Sequence, residues 1–316
     1  MFNLSKQLPA YGGQAVVEGV MFGGHRYTVT AIRRKDDTIE YLEEPKKEEA
    51  WARPFKRIPF IRGIVSLISA SANGSRHLNF STDRYDTEPG EETAAEDTPS
   101  KLTMILGVAV IGVLSFLFGK LIFTVVPAIL ADVLFKHWVT NNILQNLIEG
   151  GIKLILLFTY IALIARTPMI KRLFQYHGAE HKVINAYEAG VELTVKNVQQ
   201  FSTLHYRCGS SFLIFTVLTG VVIYSFFHYD SLWERVYQRI LLLPVVIGVS
   251  YETLQATNKV RDIPLLRFLG YPGLWLQKLT TREPDDAQVE VALASFKRMR
   301  ELEEGNTAST TVSVHS

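Results

Sequence analysis

Residues 143–165 read ILQNLIEGGIKLILLFTYIALIA and contain only two charged side chains, Glu149 and Lys153. These two stand at i,i+4 spacing, where opposite charges on one helix can pair. A run of about 20 predominantly apolar residues is long enough for a helix to cross a bilayer. This segment therefore predicts a transmembrane helix.

Three further apolar segments lie on either side of this one. We expect about four transmembrane helices, so the predicted fold class is an α-helical integral membrane protein with a small N-terminal antiparallel β unit and cytoplasmic helices. Whether residues 121–135 re-enter the membrane or lie on it stays open. The three segments are residues 102–119, extended past Lys120 by 121–135; residues 210–227; and residues 240–254, long enough to span if they start near Val236.

Positive charges predict the orientation. They are dense before the first span, in the loop 166–209 and after the fourth span, and sparse in the other two loops. Loops rich in Lys and Arg remain on the cytoplasmic side. We therefore expect a multi-pass protein of the cell membrane with both termini and the loop 166–209 in the cytoplasm.

Residues 1–82 are predicted to form a cytoplasmic unit. Between about Gly12 and Tyr41, β-branched runs surround a polar turn at residues 35–37, which indicates a small antiparallel sheet. From Arg53 to Phe80, apolar residues recur at helical spacing. That pattern fits an amphipathic helix on the membrane surface, or an ordinary helix facing the core.

The remaining boundaries follow composition. Residues 83–100 are acidic and almost free of apolar side chains, so we expect a disordered linker. The membrane domain then covers residues 101–258, followed by a cytoplasmic C-terminal segment at 259–300 and a disordered tail at 301–316. The N-terminus is polar and lacks the apolar core of a cleaved signal peptide.

The overall charge is unremarkable. The chain has 316 residues, a formal net charge of +2 and a single cysteine, Cys208, which excludes an intramolecular disulfide. Its basic residues form no concentrated run, so we expect no nucleic-acid partner. The expected partners are the lipid bilayer and a membrane protein.

The chemistry is predicted to centre on Tyr176-His177-Gly178-Ala179-Glu180-His181-Lys182. It contains H-x-x-E-H, which on a helix places both histidines on one face. Two such imidazoles can hold one metal ion, and the glutamate can move a proton to or from a water on that ion. A histidine can also pair with a carboxylate or cap a helix, so the motif alone does not decide.

The same loop offers two more candidate ligands, His205 and Cys208. Imidazole and thiolate are the usual ligands of zinc, so a divalent metal, with zinc favoured, is the expected cofactor. Three ligands would leave a position open for catalysis, and four would close the site and make it structural. Cys208 could instead be a small buried side chain at the start of a span.

Glu18 lies among glycines and apolar strand residues, in Gly12-Gly13-Gln14-Ala15-Val16-Val17-Glu18-Gly19. Such a carboxylate is either exposed on a turn or directed into a site, and the glycines permit close approach of the backbone. We list it with Glu180 as a candidate catalytic residue.

These motifs together resemble the YqhQ-like family of bacterial membrane proteins, whose members carry a domain of unknown function and are described as predicted metal-dependent enzymes. The resemblance implies that His177, Glu180, His181, His205 and Cys208 form one site. The family's His-Pro-Arg-Cys reads His205-Tyr206-Arg207-Cys208 here, so both candidate ligands are present without the proline. The motifs that carry this resemblance to the family are Gly12–Val16, Glu18–Met21, Arg62-Gly63, Tyr176–Lys182, Arg207–Leu213, Ser250–Glu252, Pro272–Gln277 and Leu279–Pro284.

Two functions are consistent with this sequence. One is a membrane-embedded, hydrolase-like metalloenzyme at the cytoplasmic interface, with Glu180 as general base. The other is a non-enzymatic membrane factor that assists membrane-protein biogenesis or translocation, with a structural His/Cys cluster.

Overall fold

The computed structural model describes residues 9–46, 52–87, 119, 121–260 and 263–305. The chain is mostly helical and carries one four-stranded sheet near its N-terminus. The strands are β1 Gly12–Val16, β2 Gly19–Gly23, β3 Tyr27–Arg33 and β4 Ile39–Pro45. The helices are α1 Ala52–Phe55, α2 Ile61–Asp86, α3 Val126–Phe135 preceded by a π-helical turn at Leu121–Val125, α4 Asn142–Ile164, α5 Pro168–Glu188, α6 Val195–Val198, α7 Ser211–Tyr224, α8 Leu232–Leu241, α9 Leu243–Lys259, α10 Tyr271–Thr280 preceded by a 3-10 turn at Arg267–Gly270, and α11 Asp286–Glu304.

The sheet confirms the predicted antiparallel unit. Its strands follow one another in sequence order, β1-β2-β3-β4, and each pair is antiparallel. A tight turn joins β1 to β2, with Val16 opposite Gly19 and Glu18 at a positive φ of 50°. Gly19 is required there because a Cβ atom would lie 2.1 Å from the carbonyl oxygen of Ala31.

Different helices pack on the two faces of the sheet. Val20, Phe22, Val29 and Ala31 alternate along β2 and β3, and they pack with α5 and α11 in the largest buried cluster. Ser295 on α11 donates a hydrogen bond to the carbonyl oxygen of Val29 at 3.0 Å. This core holds the C-terminal half of α5 against the sheet.

The opposite face of the sheet is covered by the second half of α2. His77 is fully buried there, with its Nδ1 atom 2.7 Å from Oγ1 of Thr30. Near its start, α2 contacts α9, where Arg62 forms a bidentate ion pair with Glu252. These contacts match the core-facing alternative for this helix, although Ile68 remains exposed.

Two boundaries differ from expectation. Helix α2 continues through Asp86, because Arg84 on its last turn pairs with Glu40 of β4 at 3.0 Å; residues 83–86 are therefore helical, not linker. Helix α11 runs to Glu304 with Leu302 buried, so the predicted tail starts too early. The rest of the predicted linker, at 88–100, and the first apolar segment up to residue 118 lie outside the described residues.

Among the residues that the structure describes, fewer helices than the four predicted are long and apolar enough to cross a membrane. Within the described ranges, only α4 is by itself long and apolar enough to cross a membrane. Helices α8 and α9 are bent by 53° relative to each other, and they count as a second candidate only if the pair forms a single span. Helix α7 is apolar but has only 14 residues. The bend falls at Leu242, just before Pro244, and a proline favours the first turn of a new helix. Four transmembrane helices are thus not confirmed, while the composition of α4 indicates membrane association.

Candidate functional site

Helix α5 carries the H-x-x-E-H motif and connects the apolar helices to the sheet. It begins at Pro168, in the first turn where proline is favoured, shortly after α4 ends. Its spacing puts His177 and His181 on one face, and their ring centroids lie 4.4 Å apart. His181 and Glu180 are almost completely buried, and His177 is half-buried.

Backbone carbonyl groups orient both imidazoles. Nδ1 of His177 lies 2.8 Å from the carbonyl oxygen of Thr280, and Nδ1 of His181 lies 2.5 Å from that of Thr203. A carbonyl oxygen can only accept a hydrogen bond, so each Nδ1 must carry the proton. The lone pair is thereby left on Nε2 in both rings, the arrangement by which proteins orient histidine ligands of a metal.

Cys208 completes a group of three ligand atoms. Its Sγ atom lies 3.2 Å from Nε2 of His177, and the ligand atoms of His177, His181 and Cys208 all lie within 4.8 Å of one another. Nε2 of His181 is buried and has no hydrogen-bond partner among the described residues. Two imidazoles and a thiolate could hold a divalent ion such as zinc and leave one tetrahedral position open.

His205, the fourth predicted ligand, lies beside this group and is not part of it. Its ring centroid is 5.7 Å from that of His181, and its Nε2 atom is 3.6 Å from a carboxylate oxygen of Glu188. The side chain of Gln277 fixes its backbone, since it accepts from the amide and donates to the carbonyl of His205, both at 2.8 Å. Burial lowers the pKa of His205, although the Glu188 carboxylate opposes that shift.

Glu180 lies against the glycine-rich strand β1. A Cβ atom on Gly13 would lie 2.9 Å from Cγ of Glu180, so the strand can approach only because residue 13 is a glycine. Burial raises the pKa of Glu180 to about 7, against the opposing effects of His177 and of the hydrogen bond from the Gly13 amide. A carboxyl group with that pKa can accept or release a proton near neutral pH.

A cavity of about 370 Å³ joins these groups. Its walls are Gly12, Gly13 and Gln14 of β1, the His177 and Glu180 face of α5, and the segment 205–210 with Cys208. The sequence did not predict that β1 faces the motif. The available signal was Gly13, which allows the close approach seen here.

Glu18 has a different environment. Its carboxylate forms a bidentate ion pair with Arg172 on α5 and accepts a hydrogen bond from the Tyr176 hydroxyl at 3.2 Å. It is not among the described residues that line the cavity. These contacts fix the rotation of α5 one residue before His177, which makes Glu18 a positioning residue in this arrangement.

Sequence reasoning also missed how α5 holds the segment 199–205. Lys182 donates to the carbonyl of Gln199 at 2.8 Å, and Asn185 donates to the carbonyls of Ser202 at 2.8 Å and Leu204 at 3.1 Å. These side chains follow the motif by one and four residues, so they lie on the helix turns next to His181. They hold the segment that ends at His205, three residues before Cys208.

Comparisons with known proteins agree on one relationship. The model of a family described as "Protein of unknown function (DUF1385)" matches residues 58–302. The chain is 56% identical over 298 residues to the "Uncharacterized protein YqhQ" of Bacillus subtilis (strain 168), and the match covers 93% of each chain. No solved structure matches the chain significantly.

Proposed function

The chain belongs to the DUF1385 family of proteins of unknown function, and we propose that it is a membrane-associated, metal-dependent enzyme whose active site is the cavity beside α5. One observation carries the proposal: the ligand atoms of His177, His181 and Cys208 lie within 4.8 Å of one another, and His177 and Cys208 line a cavity that also holds the buried Glu180 carboxyl group. Nε2 of His181, beside the cavity, is buried and has no hydrogen-bond partner in the described part of the chain.

The donor set fits a divalent metal of the zinc type. Its Nδ1 hydrogen bonds present both histidines in the tautomer that a metal requires, and a cysteine near a cation is readily deprotonated. A metal held there would supply Lewis acidity to a substrate carbonyl or phosphoryl oxygen and would acidify a water molecule. The donors are nitrogen and sulfur atoms, which favour zinc over magnesium or calcium.

The residues of the chain then have distinct roles. Glu180, whose carboxyl group lies in the same cavity, would accept the proton that an attacking water must lose, and return it to the leaving group. The carbonyls of Thr280 and Thr203 hold the ligands in place. Strand β1 closes the cavity and excludes bulk water from Glu180, which is why that carboxyl group has a raised pKa. This supports a hydrolase-like reaction.

Metal analysis tests the proposal directly. The full chain, purified in a non-ionic detergent, should contain about one zinc ion per molecule, since three ligands are the minimum for such a site. We expect His181→Ala and Cys208→Ser each to lose most of this metal, while His228→Ala, an exposed histidine elsewhere, keeps it. Metal-free wild-type protein that stays metal-free after incubation with zinc would end the proposal.

A non-enzymatic membrane factor remains the second candidate, and one feature favours it. Three polar side chains within five residues of α5, those of His181, Lys182 and Asn185, bind backbone carbonyls of the segment 199–205. A metal bound by the two histidines and Cys208 would then cross-link the end of this region to α5 and keep in place a surface for a membrane-protein partner. In that case Glu180→Gln would leave cellular function intact, whereas loss of the metal ligands would not.

We place the site at the cytoplasmic side of a multi-pass bacterial membrane protein. The excess of Lys and Arg in both terminal regions and in residues 166–209 supports that orientation. Reporter fusions at either terminus test it: a cytoplasmic reporter should be active at both ends, and a reporter that requires export should be inactive at both.

A further inference from the structure

A second charged cluster lies far from the proposed active site, where α4 meets α8. At its centre is Glu149 of α4, which is 2% exposed. Lys153, one turn further along α4, donates to its carboxylate at 2.7 Å. Arg235 and Arg239 of α8 also donate to it, at 2.8 Å and 2.9 Å. Along the axis of α4, Glu149 and the end of the helix at Ile164 are about 22 Å apart, at 1.5 Å per residue.

The charges in this cluster do not balance. Three cations face one carboxylate, and the side chains of Arg235 and Arg239 are fully buried. Even if Lys153 released its proton, the two arginines would still exceed the single carboxylate, because arginine stays charged in proteins. Asp132, which also interacts with Tyr229, is paired with Lys136 at 3.2 Å. Residues 101–120, which precede α3 in the sequence, contain no Asp or Glu.

Some hydrogen-bond donors of the cluster also have no acceptor among the described residues. The Glu149 carboxylate already accepts bonds from Lys153 and from both arginines. Nη1 of Arg235, Nη1 of Arg239 and the hydroxyl of Tyr229 are buried and have no hydrogen-bond partner among the described residues. The arginines lie near the Tyr229 ring, with guanidinium carbons 4.8 Å and 5.7 Å from its centroid. Buried charge and buried donors without partners are costly, so a chain that retains them is expected to bind a complementary ligand.

We propose that Arg235, Arg239 and Tyr229, with Lys153 beside them, form a binding site for a phosphate group. Guanidinium groups match phosphate oxygens in geometry and charge, and two of them with a hydroxyl provide several donors to one group. Two sources could supply this chemistry: the headgroup of an anionic lipid, or a free phosphate.

A cavity that Lys153 of the cluster lines gives the lipid source a place for its chain. This cavity, of about 320 Å³, is lined by Lys153, Tyr224, two threonines and apolar side chains, among them Phe123, Val217 and Val246. An acyl chain in this cavity would have its phosphate near the cations. The cation of Lys153 thus lies beside a mostly apolar cavity, the arrangement that the polar headgroup and apolar chain of an amphiphile require.

The test uses the full chain purified in a non-ionic detergent, with two probes. Inorganic phosphate is titrated at constant ionic strength, and the midpoint of thermal unfolding is followed. In parallel, native mass spectrometry measures how many molecules of phosphatidylglycerol or phosphatidylcholine stay bound. Ligands that bind only the folded state raise the unfolding midpoint.

Three variants locate the binding. Arg239→Lys keeps the charge and removes the free Nη1 donor, Tyr229→Phe removes only the hydroxyl, and Lys136→Gln is the control, an exposed cation near the same end of α4. We expect Arg239→Lys to weaken binding about tenfold or more, as the loss of a charged hydrogen bond does. Tyr229→Phe should weaken it less, and Lys136→Gln should leave it unchanged.

The outcomes separate the two sources. Retention of phosphatidylglycerol over phosphatidylcholine without an effect of phosphate identifies a lipid headgroup, and an effect of phosphate alone identifies a free ligand. Binding of neither probe would overturn the proposal. It would also fail if Lys136→Gln weakened binding as much as Arg239→Lys does.

Discussion

Nε2 of His177 lies 3.2 Å from Sγ of Cys208, although 31 residues separate them in the chain. Because Nδ1 of His177 is occupied by its bond to Thr280, this contact requires the thiol to donate to Nε2. The same two atoms become neighbouring ligands once the thiol loses its proton. This arrangement already brings the donors together, which is typical of a preorganised site.

Glu180→Gln distinguishes an enzyme from a scaffold. Gln has nearly the same shape but cannot accept a proton, so we expect metal content to stay close to that of the wild type. Turnover should fall about 10²-fold or more, the usual contribution of a general base. The measurement is a screen of model ester, phosphodiester and peptide substrates with protein of verified metal content. Undiminished turnover of a substrate in Glu180→Gln would remove Glu180 from the mechanism.

Glu18 and Arg172 should behave as one unit. The substitutions Glu18→Gln and Arg172→Gln each remove the same ion pair. They should therefore lower the free energy of unfolding by similar amounts, and the double variant should lower it by little more. We expect a coupling of about 1 kcal/mol, and no larger, because the Arg172 side chain is half exposed. Thermal unfolding of the four proteins gives the value. If Glu18 took part directly in catalysis, Glu18→Gln would abolish turnover while Arg172→Gln retained it.

Gly178→Ala should be strongly destabilising. Gly178 lies between the two histidines of the motif, and a Cβ atom there would be 2.1 Å from the carbonyl oxygen of Arg282. Because that oxygen belongs to the backbone, the segment after α10 must move, at a cost of about 2 kcal/mol or more. Gly151→Ala is the matched control, since its Cβ atom would meet nothing within 4 Å. On propensity alone it should raise helix stability by about 0.8 kcal/mol.

His77 should make stability depend on pH. Burial lowers its pKa below the ordinary value of 6.5, with Arg76 acting in the same direction and Glu44 against it. As the pH falls below 6.5, the unfolded chain binds a proton that folded His77 does not, so the folded state loses stability. The thermal midpoint should therefore drop more between pH 7.5 and pH 5.5 in the wild type than in His77→Gln. Equal drops in both proteins would contradict this assignment.

Local patterns predicted the elements well. The β-branched runs around the polar turn at residues 35–37 predicted the antiparallel sheet, and the helical spacing of His177 and His181 placed both on one face. Each of these depends on residues a few positions apart. The periodicity of the backbone translates such spacings directly into geometry.

Contacts between distant segments were not predictable. His205 and Cys208 are three residues apart on an irregular segment, so spacing could not tell which of them joins the histidines of α5. The choice depends on Gln277, 72 residues away, which holds the backbone of His205. Likewise, hydropathy counts apolar residues but does not reveal a bend of 53° between α8 and α9.

The enclosure of α5 by the two ends of the chain has a consequence for biosynthesis. Val29 of β3 and Ser295 of α11 are hydrogen-bonded across 266 residues, and the core between them also contains α5. A nascent chain cannot form this contact until its last helix has left the ribosome. The face of the sheet that α11 covers therefore stays incomplete while α4, α7, α8 and α9 are made. Truncation before Asp286 would leave that apolar face covered by α5 alone, a target for proteolytic quality control.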